Sequence, residues 1–169
     1  MIYIKFSILI GIFASSLYLG ILISRKYTNR EQELVEIQNS LNMLESKIKF
    51  TYEPLQEIFV EISKKINNNI GEIFEKAQKN LSNLGTGQAW NKAIDETPTD
   101  LTEEDKNILK GLGRLIGKTS LEGQISEINL MKSFIEKQTE KAKREREKNE
   151  KMYKTLGGII GMAIVIIIA

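Results

Sequence analysis

The sequence predicts an all-α protein in which a single cytoplasmic helical bundle of about six helices lies between two transmembrane helices. Three observations support this fold class. Both ends of the 169-residue chain are apolar and almost free of charge. Between them, apolar residues recur at spacings of three and four, as they do along one face of an α-helix. No stretch alternates apolar and polar residues in the way that a half-buried strand does.

The N-terminal apolar segment predicts a transmembrane helix over residues 2–23. Phe6 to Ile23 contains no charged residue over eighteen positions, which is enough to cross most of a bilayer core of about 30 Å as a helix. A cleaved signal peptide is the alternative interpretation. Such a peptide carries its positive charge before the apolar run, whereas here only Lys5 precedes the run. The basic residues that follow it are Arg25, Lys26 and Arg30.

The C-terminal apolar segment predicts a second, shorter transmembrane helix over residues 154–169. Fourteen uncharged residues run from Leu156 to Ala169, and the long side chain of Lys154 can extend from the helix start to the headgroups. Basic residues crowd the upstream flank: Lys143, Arg144, Arg146, Lys148, Lys151 and Lys154. Because both spans have their basic flank on the same side, the positive-inside rule places the intervening residues in the cytoplasm. We therefore expect a two-pass protein of the cell membrane.

Residues 24–138 predict the cytoplasmic helical bundle. Thr28 and Glu31 have the spacing of a capping box and predict the start of its first helix. Pro54 fits the first residue of the second helix, and Trp90, in a fourth, short helix, is expected in the core. The apolar stripes of the first three helices are Leu34, Ile37, Leu41, Leu44, Ile48; Leu55, Ile58, Phe59, Ile62, Ile66; and Ile70, Ile73, Phe74, Ala77, Leu81, Leu84.

Residues 139–153 predict a charged stalk that continues the last helix. From Thr139 to Lys151 only Ala142 is small and apolar, so this segment is predicted to have no face to bury. A solvated stalk between domain and membrane is one interpretation. The other is a docking strip for a charged partner or for lipid headgroups, with the candidate contacts Lys143, Arg144, Arg146 and Lys148.

The segment "KGLGRLIGKTS" (Lys110 to Ser120) raises the question of phosphate binding, because it combines three glycines with a lysine and hydroxyl groups. A Walker A loop that ended at Gly117-Lys118-Thr119 would need glycine at position 112, which is leucine. The dinucleotide-binding pattern also fails, and no hydrophobic strand precedes the segment. Apolar residues recur around it at helical spacing: Ile108, Leu109, Leu112, Leu115 and Ile116. We therefore predict that Gly111 and Gly113 lie inside a helix, that Gly117 ends it, and that all three serve helix packing.

The composition excludes several classes of function. The chain has no cysteine and no histidine, which removes thiol chemistry, the commonest general base and the commonest zinc ligand. No metal or cofactor is expected. The net charge of only +2 does not indicate the strongly basic surface that nucleic-acid-binding proteins have. Only carboxylates and lysines remain as candidate catalytic groups. We expect a protein that is not an enzyme and, from the charge balance, one that does not bind nucleic acid.

Several segments, taken in chain order, resemble the stage III sporulation protein AB family. They are Arg25-Lys26-Tyr27 after the first span, "LNMLESKIKFTYEPLQE" (Leu41 to Glu57), Trp90, "LGRLIGKTSLEGQ" (Leu112 to Gln124) and "KNEKMYKTLGG" (Lys148 to Gly158). The resemblance covers essentially the whole chain, and the last two segments are its most specific parts. It supplies no catalytic residue.

This resemblance implies a two-span membrane protein of endospore-forming bacteria whose domain is similar to the cytoplasmic helical domain of type II secretion and type IV pilus platform proteins. Such proteins organise a secretion-like apparatus and are thought to meet its motor ATPase; in sporulation the apparatus connects mother cell and forespore. The implied partners are a secretion-type ATPase, other membrane proteins of the channel complex, and membrane lipid. Platform proteins usually carry two such domains, so a homo-oligomer is expected here. A membrane-tethered helical sensor or adaptor is the alternative function.

Overall fold

The computed structural model describes residues 2–51, 53–66, 68–114, 116–117 and 119–168, with side chains from residue 7 onward. Six α-helices and no strand are found in this part of the chain, so the predicted all-α fold class is confirmed. The helices are α1 (Ile2–Phe50), α2 (Leu55–Lys65), α3 (Asn69–Leu81), α4 (Thr86–Glu96), α5 (Glu103–Leu112) and α6 (Leu121–Ile168).

The first and last helices are much longer than the other four. α1 has 49 residues and α6 has 48. α1 passes through Thr28 and Glu31 without a break, so the predicted helix start at this pair is wrong. A capping box stabilises a helix start because it supplies acceptors for N–H groups that lack intrahelical partners. Inside α1 the preceding turn already supplies those acceptors, and the pair has no capping role.

The chain divides into two compact units. One consists of the residues up to Glu31 together with those from Lys141 onward, and we call it the end-helix unit. The other runs from Gln32 to Glu140, and we call it the helical domain. Each terminal helix therefore contributes its outer part to the end-helix unit and its inner part to the helical domain.

Three aromatic rings from three successive helices form the centre of the helical domain. Phe59 of α2, Phe74 of α3 and Trp90 of α4 have ring centroids 5.1 to 5.7 Å apart. Trp90 is 1% exposed, and its indole Nε1 donates a hydrogen bond of 2.7 Å to the carbonyl oxygen of Leu109. The bond satisfies the only polar atom of the side chain, which a buried indole requires. The predicted core position of Trp90 is confirmed.

The apolar stripe of the inner half of α1 packs into the same core. All five of its predicted members are less than 9% exposed: Leu34, Ile37, Leu41, Leu44 and Ile48. The predicted stripes of α2 and α3 supply further buried residues: Ile58, Phe59, Ile62, Ile66, Ile70, Ile73, Phe74 and Ala77. α6 contributes Ile128, Met131 and Ile135. Helical periodicity thus identified most of the core, because burial of one face is what produces that periodicity.

Glu33 is a buried carboxylate that links α1 to two distant segments of the domain. Its side chain accepts a hydrogen bond of 2.9 Å from Asn69 Nδ2 and one of 2.8 Å from the backbone N–H of Asp100. Glu33 is 6% exposed, and burial raises the pKa of its carboxyl, while the two donors act in the opposite direction. The carboxylate therefore fixes the start of α3 and the segment before α5 against α1.

α5 has a well-defined start and ends earlier than predicted. Thr102 and Asp105 form a reciprocal capping box at its start. The helix ends at Leu112, so the predictions that Gly113 lies inside it and that Gly117 ends it are wrong. The backbone N–H of Gly113 bonds to the carbonyl of Lys110, three residues back, which tightens the last turn. Glycine has a low helix propensity, and two glycines at this position favour that early end.

Candidate functional site at the paired ends of the chain

Small residues bring the two terminal helices into close contact within the end-helix unit. A Cβ atom built on Gly20 of α1 would lie 2.6 Å from the carbonyl oxygen of Tyr153 and 3.3 Å from the Cα of Gly157 in α6. A Cβ atom on Gly157 would lie 2.9 Å from the carbonyl oxygen of Ser16. Both glycines are required at these positions because any larger residue would force the two backbones apart.

A serine and a third glycine extend this contact by one turn. Ser16 Oγ donates a hydrogen bond of 2.7 Å to the carbonyl oxygen of Gly157. A Cβ atom on Gly161 would lie 2.9 Å from Phe13 Cδ2 and 3.1 Å from Ser16 Cβ. Small residues four positions apart, here Ser16 with Gly20 and Gly157 with Gly161, are the pattern by which transmembrane helices approach closely. This pairing was not among the sequence-based predictions, although the spacing of Gly157 and Gly161 in an apolar segment was a readable signal.

Polar contacts continue the pairing of the two helices beyond their apolar parts. Arg30 Nη1 lies 2.6 Å from Glu145 Oε2, and the Arg30 side chain is only 5% exposed. Arg146 Nε lies 3.0 Å from Glu31 Oε2. The rings of Tyr27 and Tyr153 are stacked with centroids 5.9 Å apart, and a hydrogen bond with Tyr153 together with burial raises the pKa of Tyr27.

The charged segment predicted as a stalk has one buried face. Ala142 is 1% exposed, and the next turn engages α1 through Glu145 and Arg146. The expectation that this segment has no face to bury is therefore wrong. Sequence periodicity could not reveal this face, because most of its residues are charged and find their partners more than a hundred positions away.

The four candidate contact residues of this segment do not share one environment. Lys143, Arg144 and Lys148 are exposed, and we call these three the charged strip. Arg146 is partly buried in its ion pair with Glu31. The contact of these four residues with a partner or with lipid stays a prediction. For Arg146 the structure shows in addition an ion pair within the protein, between α6 and α1.

The three glycines between Lys110 and Ser120 lie around the end of α5. A Cβ atom on Gly113 would lie 3.1 Å from Gly87 Cα and 3.1 Å from Trp90 Cδ1, and one on Gly111 would lie 3.1 Å from Met131 Cε. Gly117 lies beyond the helix, in a turn, with a φ of 71° that favours glycine. The helix-packing role stays a prediction, with close approach at Gly113 as its best support. Lys118 and Leu115 lie outside the described residues.

Both terminal helices are long and apolar enough to cross a membrane. Their most apolar windows have mean hydropathies of 2.1 and 1.6, and only 11% of each window is buried. Core helices of a soluble domain are mostly buried. The low burial of these two apolar stretches therefore fits exposure to lipid better than a place in a soluble core. Among the described residues, no group of three or more carboxylates lies close enough to hold a metal ion.

Comparison with known proteins decides the family. The sequence model of the family described as stage III sporulation protein AB matches residues 5–169 of this chain. The chain belongs to this family. Stage III sporulation protein AB of Bacillus subtilis (strain 168) is 22% identical over 161 residues, which cover 93% of this chain and 94% of that protein. The expected family membership is thus confirmed.

A solved structure of a stage III sporulation protein AB, SpoIIIAB, has the same fold. It superposes with a TM-score of 0.64 at 19% identity and covers 70% of this chain and 96% of the solved chain. Both the matching family and the Bacillus subtilis relative are named as stage III sporulation proteins, so this chain is a member of a sporulation family. Two long apolar helices at the ends of a member of this family fit a two-pass membrane protein.

Proposed function

We propose that this protein is a non-enzymatic platform of a secretion-like channel between mother cell and forespore, and that it docks the motor ATPase of the channel. The observation that carries the proposal is the combination of a helical domain with two paired apolar helices in a sporulation family. The chain ties the domain to the membrane at both ends. An ATPase bound to this domain is thereby brought next to the membrane components of the channel.

The proposal includes an orientation with the helical domain in the mother-cell cytoplasm. It is supported by the basic residues on the domain side of both spans. The absence of cysteine from the sequence allows a clean test with a single Ser82→Cys variant, because Ser82 is exposed at the end of α3. This cysteine is expected to be protected from a membrane-impermeant maleimide in intact cells and labelled after permeabilisation. Labelling before permeabilisation would mean the opposite orientation.

The proposed contact with the ATPase is the charged strip. The buried stripes of the helices belong to the core, so contact with a partner requires exposed residues. Reversal of Lys143, Arg144 and Lys148 to glutamate is expected to release the ATPase from the membrane fraction and to reduce sporulation. Arg146 is left unchanged, since its reversal would place a like charge against Glu31. If the contact is electrostatic, added salt should weaken it, because the Debye length is about 8 Å at physiological ionic strength.

A matched control separates the contact from a general charge effect. Reversal of Lys64, Lys65 and Lys79, which are exposed on α2 and α3, changes the net charge by the same amount. We expect this variant to retain the ATPase and to sporulate normally. An ATPase that stays on the membrane in a strain lacking the protein would leave the docking role without support. Equal effects of the two variants would argue against the charged strip.

A further inference from the structure

We propose that four exposed basic residues form a collar around the paired helices and bind the headgroups of anionic phospholipids. The residues of this basic collar are Arg25, Lys26, Lys151 and Lys154. The inference goes beyond the platform role, because it concerns which lipids surround the protein and does not depend on the ATPase.

The register of the helix pair brings residues from both ends of the sequence to one level. Gly20 of α1 lies opposite Gly157 of α6. Glu31 lies opposite Arg146. The second pair is eleven residues further along α1 and eleven residues earlier in α6, as expected for antiparallel helices. The same register places Lys26, six residues on from Gly20, level with Lys151. Arg25 is one residue away from this level and Lys154 is three. Two short basic segments that are far apart in sequence thus meet at one height of the end-helix unit.

The level of the collar coincides with the start of both apolar segments. At a rise of 1.5 Å per residue, Arg25 lies about 3 Å beyond Ile23, and Lys151 lies about 8 Å before Leu156. The headgroup layer on each side of a bilayer is about 5–8 Å thick. Lys143, in the charged strip, lies about 20 Å before Leu156 along α6. The collar is therefore at headgroup depth. Lys143 lies farther from the bilayer, where a protein can reach it.

Two other basic residues near the collar are held in ion pairs between the two helices. Arg30 is paired with Glu145 and Arg146 with Glu31, so neither offers its charge fully to lipid. Lys154 contacts Glu150 at 2.6 Å, yet its side chain remains 49% exposed. Basic clusters between membrane helices on the cytoplasmic side favour anionic headgroups. Stacked Tyr27 and Tyr153 lie at nearly the same level, where aromatic side chains commonly mark the membrane interface.

Native mass spectrometry of the full-length protein in a neutral detergent tests the proposal. The probes are phosphatidylglycerol, which is anionic, and phosphatidylcholine, which has no net charge. We expect the wild-type protein to bind phosphatidylglycerol about tenfold more tightly or better, and this preference to fall as salt is added. If the wild-type protein shows no preference for phosphatidylglycerol, or a preference that does not change with salt, the proposal is overturned by this measurement alone.

Charge-neutral variants locate the site. Substitution of all four collar residues by glutamine is expected to remove the preference and to leave phosphatidylcholine binding unchanged. The matched control substitutes four exposed lysines outside the collar and the charged strip by glutamine and should keep the preference: Lys64, Lys65, Lys79 and Lys137. Equal losses in both variants would place the lipid contact elsewhere. Inorganic phosphate at matching concentration should not displace the lipid; displacement would indicate a phosphate site instead of a lipid site.

Discussion

Replacement of Gly20 by leucine is expected to separate the two end helices and to stop spore formation. At this position a Cβ atom would lie 2.6 Å from the backbone carbonyl oxygen of Tyr153, and backbone atoms of α6 cannot move aside as the end of a side chain can. A Cβ atom on Gly11 in the same helix would meet no neighbouring atom within 4 Å in the described part of the chain. The matched Gly11→Leu variant has the same hydrophobicity and should sporulate normally. The pair therefore separates loss of helix contact from an altered membrane insertion.

A disulfide can report the helix contact directly. The sequence has no cysteine, and a Cβ atom on Gly161 would lie 3.1 Å from Ser16 Cβ, close to the separation of about 3.5–4.5 Å found in disulfides. A Ser16→Cys, Gly161→Cys variant should form an internal disulfide in isolated membranes on mild oxidation. Adding Gly20→Leu should abolish this disulfide, whereas adding Gly11→Leu should not. Efficient disulfide formation with leucine at position 20 would show that the close contact is not needed for pairing.

Substitution of Trp90 by alanine is expected to destabilise the helical domain by about 3–5 kcal/mol. The side chain is 1% exposed, lies against the rings of Phe59 and Phe74, and closes a hydrogen bond to Leu109. Its removal creates a cavity between three helices and leaves a buried carbonyl oxygen without its donor. A loss of this size is a large share of the stability of an ordinary domain.

Denaturant unfolding of the full-length protein in detergent, followed by far-ultraviolet circular dichroism, measures this loss. Phe50→Ala is the control, because Phe50 is 69% exposed at the end of α1. Its substitution should change the free energy of unfolding by less than about 0.5 kcal/mol. A Trp90→Ala variant that unfolds at the denaturant concentration of the wild type would show that the aromatic centre does not hold the domain together.

The sequence predicted the parts of the fold that depend on local periodicity. The stripe from Leu34 to Ile48 and the core position of Trp90 were readable because buried residues recur with the helix period. At the start of α5, Thr102 and Asp105 carry a local hydrogen-bonding signal, because a capping box depends on two residues three positions apart. The same signal misled at Thr28 and Glu31, since a capping box has no effect where the helix already continues from the preceding turn.

The paired ends were not predicted because their contacts join residues that are far apart in sequence. Arg30 meets Glu145, and Ser16 meets Gly157, across more than a hundred positions. In the sequence, neither end showed that it contacts the other. The N-terminal end was predicted as a transmembrane helix, and the C-terminal end as a charged helix followed by a second transmembrane helix. The spacing of Gly157 and Gly161 is typical of a helix that packs closely against another, but only the structure identifies that partner as the first helix of the same chain.

The buried carboxylate of Glu33 makes the helical domain sensitive to incomplete assembly. Its two donors, Asn69 and the backbone of Asp100, come from segments 36 and 67 residues further along the chain. A state in which α1 has packed but either segment has not would leave this carboxyl without one of its two donors, and a buried polar group that lacks its hydrogen bonds is costly. This missing hydrogen bond makes partly assembled forms less stable than the folded domain. One side chain in this way favours the joint assembly of three distant segments of the chain.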